Sequence, residues 1–547
     1  MSLRNRLVLP IILSSLAVLA GCGSSTNKVV PPPSGAFSNT DLNGTYTFSV
    51  AGSDVNGPMS IAGSFTACGC SAGTISGGAV DFDDPALPNA FNSAVGTNST
   101  YSITADGRGT ASLFITPSGL TPFEVVFDFV LTSSSHGLII RYDKTGTGSG
   151  TIDLQSSAVS QGSIENTPYV FTFSGSDLSD DLLSTVGTFT LNSSGTITAG
   201  VNDCNFNAEP FYQAALSGSV LVGSGTAPGS ASILTGCSSG SLTFDVYTID
   251  STHLKLIEND GSAFLVGDAF AQTSASIPSG GLVFTMQGLA GGITDGTPFA
   301  AGGTVTSDGA SELSAGLEDT NVDIGGVGTV DGGVSPAVPE AFGGSFVASP
   351  AGSGRFQVAL SGFSGGTNFA AYPSSGGILL VEIDSGVGAG VTSGVALAQT
   401  SGAALAATQG YGLNNSGDDI VNSVGLDETA QFTTTSTGMT GLLNENDGGT
   451  PSTQNVNGTY TPGSNGAGSA TIGTGLQSIF YYAADSSTVL FISADPNQVA
   501  AGVIEAQTAP SDAAQSATAK PRPLPMLRAM PRSRSATPHG QRLSPAK

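Results

Sequence analysis

The chain has 547 residues, a formal charge of −26, 77 glycines, 10% charged side chains and no tryptophan, a balance that disfavours helix and exceeds what one core can organise. The charge is uneven. Residues 41–508 hold 40 of the 41 acids against five bases, Arg108, Arg141, Lys144, Lys255 and Arg355, so nucleic-acid binding by this body is excluded, because such affinity comes mainly from Lys and Arg displacing counterions around phosphate.

In chain order, residues 1–22 read as a secretory signal. Arg4 and Arg6 supply the positive start, and the apolar run 7–20 is too short to span a bilayer comfortably. The run ends in Leu19-Ala20-Gly21-Cys22. That segment resembles the lipobox of bacterial lipoproteins, which implies cleavage between Gly21 and Cys22 and diacylglyceryl attachment to the Cys22 thiol. At about 0.8 kcal/mol per buried methylene, two or more acyl chains give stable attachment without a transmembrane helix. Residues 23–40, with Pro31-Pro32-Pro33, read as a tether of mixed flexible and extended character. Gly23 after the Cys points, by the enteric sorting rule, to the outer membrane, on its periplasmic face or at the cell surface.

The body then repeats itself four times, over 41–156, 157–273, 274–400 and 401–508. Each copy opens on a strand such as Tyr46-Thr47-Phe48 or Tyr169-Val170-Phe171, continues through a strand pair leading to Asp81, Asp203, Asp319 or Glu445, turns on glycines, and closes near Asp143, Asp260, Asp384 or Asp495. Gln155, Gln272, Gln399 and Gln507 mark the ends. Apolar residues alternate within each copy, as at Phe123, Val125, Phe127, Phe129 and Leu131, the period of half-buried strands. The first copy holds about eight such runs joined by short turns. The expected fold is therefore all-β: four tandem antiparallel up-and-down barrel- or sandwich-like repeats of about eight strands.

Leu42-Asn43-Gly44-Thr45-Tyr46 is similar to the Gly-x-Trp opening of calycin barrels such as lipocalins and avidins, with Tyr in place of Trp; the resemblance implies barrels that carry a small ligand inside. The body also resembles tandem β-repeat lipoproteins of free-living bacteria, a family that implies no activity.

Several residues have candidate chemistry. Gly69-Cys70-Ser71-Ala72-Gly73 and Gly236-Cys237-Ser238-Ser239-Gly240 fit the nucleophile-elbow pattern, which needs a strand before and a helix after it; between β-strands in a Gly- and Ser-rich chain, composition accounts for both. His136 and His253 occupy matching places and His539 lies in the tail, and turn placement suits the first two better than a metal site. In an oxidising compartment Cys204 and Cys237 are the expected disulfide, while Cys68 and Cys70 stay open between a mutual bond, a redox pair and a bond to another molecule. Asp81, Asp203, Asp319 and Glu445 are the candidate Ca²⁺ ligands, against the simpler reading that they cap turns. No catalytic residue and no cofactor is expected.

Residues 509–547 change abruptly to Arg, Pro and Met, with seven bases from Lys520 onward and no acid after Asp512, the composition of a disordered basic tail. The reading is a lipid-anchored envelope or surface protein, non-enzymatic, whose partners are the membrane and envelope or extracellular polymers. The alternatives are a small-ligand carrier and an extracytoplasmic hydrolase using Asp/Glu pairs.

Overall fold

A computed structural model describes residues 37–510 apart from 86, 88–89, 157–158, 239, 292–295, 324–327, 331–338, 387, 474–477 and 509. Gly21, Cys22, His539 and the basic tail lie outside the described residues. Among the described residues helix is confined to a 3-10 turn at Asn39–Asp41 and one turn of α-helix at Gln161–Ile164. The rest of the regular structure is four antiparallel sheets, formed by the strands between residues 43–154, 168–271, 280–398 and 410–506. We call these modules 1 to 4.

All four share one topology. The first strand pairs on one side with the second and on the other with the last, as Asn43–Asp54 pairs with Gly57–Cys68 and Gly146–Leu154. The meander thus curls until its beginning meets its end. Module 4 is a closed eight-stranded barrel. In modules 1 and 3 extra pairings, Val95 with Ile115 and Gly302 with Asp319, join the sheet on its far side. Module 2 leaves Glu209–Ala215 and Ser217–Leu221 unpaired with each other.

Glycine makes the first-to-last closure possible. Gly150, Gly267, Gly394 and Gly502 occupy the same place in the last strand of each module, and a Cβ there would sit only 1.6 to 2.2 Å from the carbonyl oxygen of Ser49, Thr172, Thr285 or Asn414 on the first strand. One glycine per module at a fixed register is a packing requirement, and it accounts for part of the composition.

Each module has its own apolar interior. A fifth cluster is shared by all four, running from Val130 and Leu138 through Val170, Phe270, Tyr372 and Val395 to Tyr482 and Val503. The shared cluster exists because the modules do not lie in a row. The first three strands of module 1 pack on the strands Leu242–Asp250, His253–Glu258 and Ala263–Ala271 of module 2; module 2 packs in the same way on module 3, and module 3 on module 4. Module 4 then packs its strands Gly410–Asp419, Val424–Thr434 and Gly438–Asp447 on Phe123–Ser133, His136–Tyr142 and Gly146–Leu154 of module 1. A head-to-tail contact repeated with a rotation that closes makes a ring, and here four covalently linked units close one.

The terminal glutamines of the repeats are the clamps of this ring. Gln155, Gln272, Gln399 and Gln507 each donate through Nε2 to the same backbone carbonyl of the following module, on Thr248, Pro373, Ala483 and Leu131, at 2.7, 3.2, 2.8 and 2.9 Å. Gln507 reaches back to module 1, so the last clamp spans the whole chain.

Candidate functional site

The recurring acids face the seams between modules. Strand register fixes the correspondence: Asp81 lies opposite Ala62, Asp203 opposite Val186 and Asp319 opposite Gly302. Each sits in mid-strand, where it accepts a hydrogen bond from a tyrosine of the next module: Tyr247 to Asp81 at 2.7 Å, Tyr372 to Asp203 at 2.5 Å and Tyr482 to Asp319 at 2.7 Å. These tyrosines hold one register position too, paired with Lys255, Leu379 and Leu490. The acids are therefore not turn caps, and as Ca²⁺ ligands they are not brought together, each lying at a different seam. At the Asp203 seam Arg355 is fully buried and also bonds the carboxylate, with Nη2 at 2.7 Å from Oδ1.

The fourth correspondence is one residue away from Glu445. Asn444, opposite Thr429, takes the seam position. The tyrosine position in module 1 is Val130, opposite Leu138. Both halves of the pair are thus replaced at the closing seam, and Asn444 Nδ2 instead donates to Asp128 Oδ2 at 2.8 Å. A shift of one residue along a strand exchanges its two faces, so Glu445 points into the barrel.

Two residues beyond each seam position lies a second contact. Asn205, Asn321 and Asn446 donate through Nδ2 to backbone carbonyls of the next module, at 2.9 and 3.0 Å from Asn205 and at 2.8 to 3.2 Å from Asn321 and Asn446. Module 1 has Asp83 in this place, hydrogen-bonded to Glu258 of module 2. A bond between two carboxyls needs a proton. Burial, reinforced by the neighbouring acids, pushes Asp83 well above the usual carboxylate range and Glu258 up to about 11. Asp81 is pushed up to about 8 by burial and by the charge of Asp245.

His136 and His253, expected in turns, start buried strands and join an ion network beneath the shared core. His136 contacts Asp153 at 2.6 Å and Glu505 of module 4 at 3.0 Å; Lys255 of module 2 lies 3.5 Å from Asp153 and 3.2 Å from Asp268, which His253 contacts at 2.7 Å. Burial alone would lower the His136 pKa, but the charges of Glu505 and Asp153 raise it to about 10. Modules 1, 2 and 4 are tied by charges at most 10% exposed, an arrangement suited to cohesion rather than to meeting a substrate.

Of the elbow-like serines, Ser71 lies in an exposed turn, and Ser238 is buried with its hydroxyl donated to Gly240 O at 2.6 Å. Disulfides join Cys204 to Cys237 and Cys68 to Cys70.

The barrel interiors differ. Phe48, Phe65, Phe82 and Phe127 fill module 1, and module 3 encloses a wholly apolar void of about 60 Å³ among residues that include Phe284, Phe342 and Phe363. Module 4 holds a cavity of about 250 Å³ lined by Asp419, Glu445, Asp447, Asp495, Gln454 and Gln498, with an apolar floor of Leu426, Leu443 and Ile472. Glu445 and Asp447 share a strand face with the core residues Met439 and Leu443, and Gln498 with Ile504, which aims all three inward. Asn455 and Asn497, also on its wall, are exposed, so the cavity meets solvent. Sequence reasoning noticed Glu445 for its recurrence and missed the cavity, whose only sequence signal is polar residues at inward positions.

No family model matches the chain, and no curated protein does. Among solved structures, transferrin-binding protein B from serogroup B Neisseria meningitidis aligns at 10% identity over 68% of this chain and 84% of its own, with a TM-score of 0.16. A double mutant of transferrin-binding protein B from Haemophilus parasuis aligns at 10% identity over 85% and 94%, also at 0.16, and the intact Ap-TbpB with both lobes at 8% over 85% and 95%, at 0.17. Superposition at this level carries no functional argument.

Proposed function

We propose that this protein is a lipid-tethered, non-enzymatic binding module of the bacterial envelope, a four-barrel ring held to the outer membrane at one edge through Cys22. The observation that carries this reading is where the chain enters and leaves the ring. Phe37 N–H donates to Ala105 O, Gln507 Nε2 donates to Asp106 O, and a Cβ on Gly107 would lie 2.6 Å from Gln507 and 3.0 Å from Phe37. Phe37 and Gln507, near the two ends of the described residues, therefore adjoin the same turn. That geometry supports a single attachment edge; seven bases follow in sequence from Lys520 onward, and anionic headgroups attract Lys and Arg. The opposite arrangement, ends on remote modules, would suit a string of domains projecting outward.

Metabolic labelling with palmitate tests the tether. The wild type is expected to take up label and enter the detergent phase on partitioning, and Cys22→Ser to do neither; an unlabelled wild type overturns the proposal. Carriage of a small ligand is the second reading. Module 4 favours it, through its cavity.

A further inference from the structure

We infer that the interior of module 4 is a binding site for a compact aliphatic polyamine, whose ammonium groups meet the inward carboxylates of Asp419, Glu445, Asp447 and Asp495 while its methylenes lie on Leu426, Leu443 and Ile472. The inference deepens the binding-module reading and is independent of the tether.

The site is specific to this module. Register places Phe82, Cys204 and Thr320 where module 4 has Glu445, and Gly146, Ala263 and Gly390 where it has Gln498. Aromatic, disulfide and small residues at these inward places became a carboxylate and an amide. Inward acids facing only each other would raise the energy of the fold.

Gln498 indicates that something more belongs there. Its side chain points inward and is 6% exposed, and its Oε1, fully buried, has no hydrogen-bond partner among the described residues. An orphaned buried acceptor calls for a donor. The carboxylates are acceptors as well: Asp419 takes the N–H groups of Val421 and Asn422 and the side-chain amide of Asn422, Asp495 takes the N–H of Asn497, and Glu445 takes the groups of Ser452 and Gln454. A matching ligand is rich in donors and positively charged.

Among the described residues no three His, Cys, Asp or Glu side chains converge closely enough to hold a metal ion. The acids are instead spread around a cavity of about 250 Å³, a spacing that fits several ammonium groups on one chain better than a single point charge. The apolar floor gives the linking methylenes a surface that a hydrated divalent cation could not use. Asp447, hydrogen-bonded to Asp419, is pushed up to about 6 by burial and by the charges of Asp419 and Glu445, which marks the cavity as a place where a cation is favoured.

Calorimetric titration of the full-length protein in detergent micelles with spermidine, at pH 7.5 and low salt, tests the inference. One molecule is expected to bind with a Kd of about 0.1 mM or tighter. The Glu445→Gln/Asp447→Asn double variant should weaken binding tenfold or more and Gln498→Leu about threefold, with Glu124→Gln on the exposed surface of module 1 unchanged. If the double variant fails to fold, Gln498→Leu decides. Unchanged affinity in the cavity variants, many weak sites in place of one, or equally tight magnesium binding would overturn it. Palmitate labelling is unaffected by any of these outcomes, so the two proposals fail separately.

Discussion

The seam between modules 1 and 2 and the seam between modules 4 and 1 use the same strand positions for opposite chemistry. At the first, Asp81 takes the Tyr247 hydroxyl and Asp83 meets Glu258, burial pushing both carboxyls towards the protonated form. At the second, Asn444 and Asn446 take those places, Val130 replaces the tyrosine, and Asn446 alone donates to three carbonyls, on Arg141, Asp143 and Gly146. An amide brings its own donors at any pH, whereas a carboxyl can donate only while protonated. At these strand positions the ring thus has a proton-dependent contact in one seam and a proton-independent one in the other, and four similar interfaces need not have similar stability.

Making the closing seam acidic should do the most damage. Asn446→Asp is expected to cost about 3 to 5 kcal/mol at pH 8, because three carbonyls lose their donor and an ionised carboxylate is left buried among acceptors. Denaturant unfolding measures this, and an unchanged midpoint would remove the asparagine contacts from the account of ring closure.

The converse change, Asp83→Asn, should stabilise the ring by about 1 to 2 kcal/mol at pH 9. The sign follows from linkage. Asp81, Asp83 and Glu258 have folded-state pKa values above their unfolded ones, so their contribution is fully present below pH 4 and is lost as pH rises through about 8 for Asp81 and about 11 for Glu258. The melting temperature of the wild type should fall on going from pH 6 to pH 10, and Asp83→Asn should flatten that slope; equal slopes would contradict the proton-shared pair.

A weaker response is expected from transplanting the tyrosine pair. Val130→Tyr and Asn444→Asp should each destabilise alone, and the double variant should recover about 1 kcal/mol relative to their sum. Strict additivity would mean that the two positions do not meet. Weakest of all, raising NaCl from 20 to 200 mM should raise the melting temperature by about 2 to 4 °C, since 40 acids against five bases in the body repel one another through solvent. A salt-independent midpoint would contradict this expectation.

A β architecture built from four similar units was legible in the amino acids alone, because alternation, turn glycines and the spacing of markers are local properties of strands and turns. Even the clamps were visible, since Gln155, Gln272, Gln399 and Gln507 stood out as repeat ends, although nothing local said what they would hold. That the units close into a ring, that Asp81, Asp203 and Asp319 are seam residues, and that Asn444 rather than Glu445 is their fourth counterpart emerged only from the folded chain. The physical reason is that strands such as Ala263–Ala271 are buried throughout, one face in the barrel of module 2 and the other against module 1. Alternation separates water from core; where both faces are covered it cannot tell one core from the other. The register that does so is set by pairing between distant strands, and that pairing turned Glu445, an acid expected in a turn or on calcium, into a lining of the module 4 cavity.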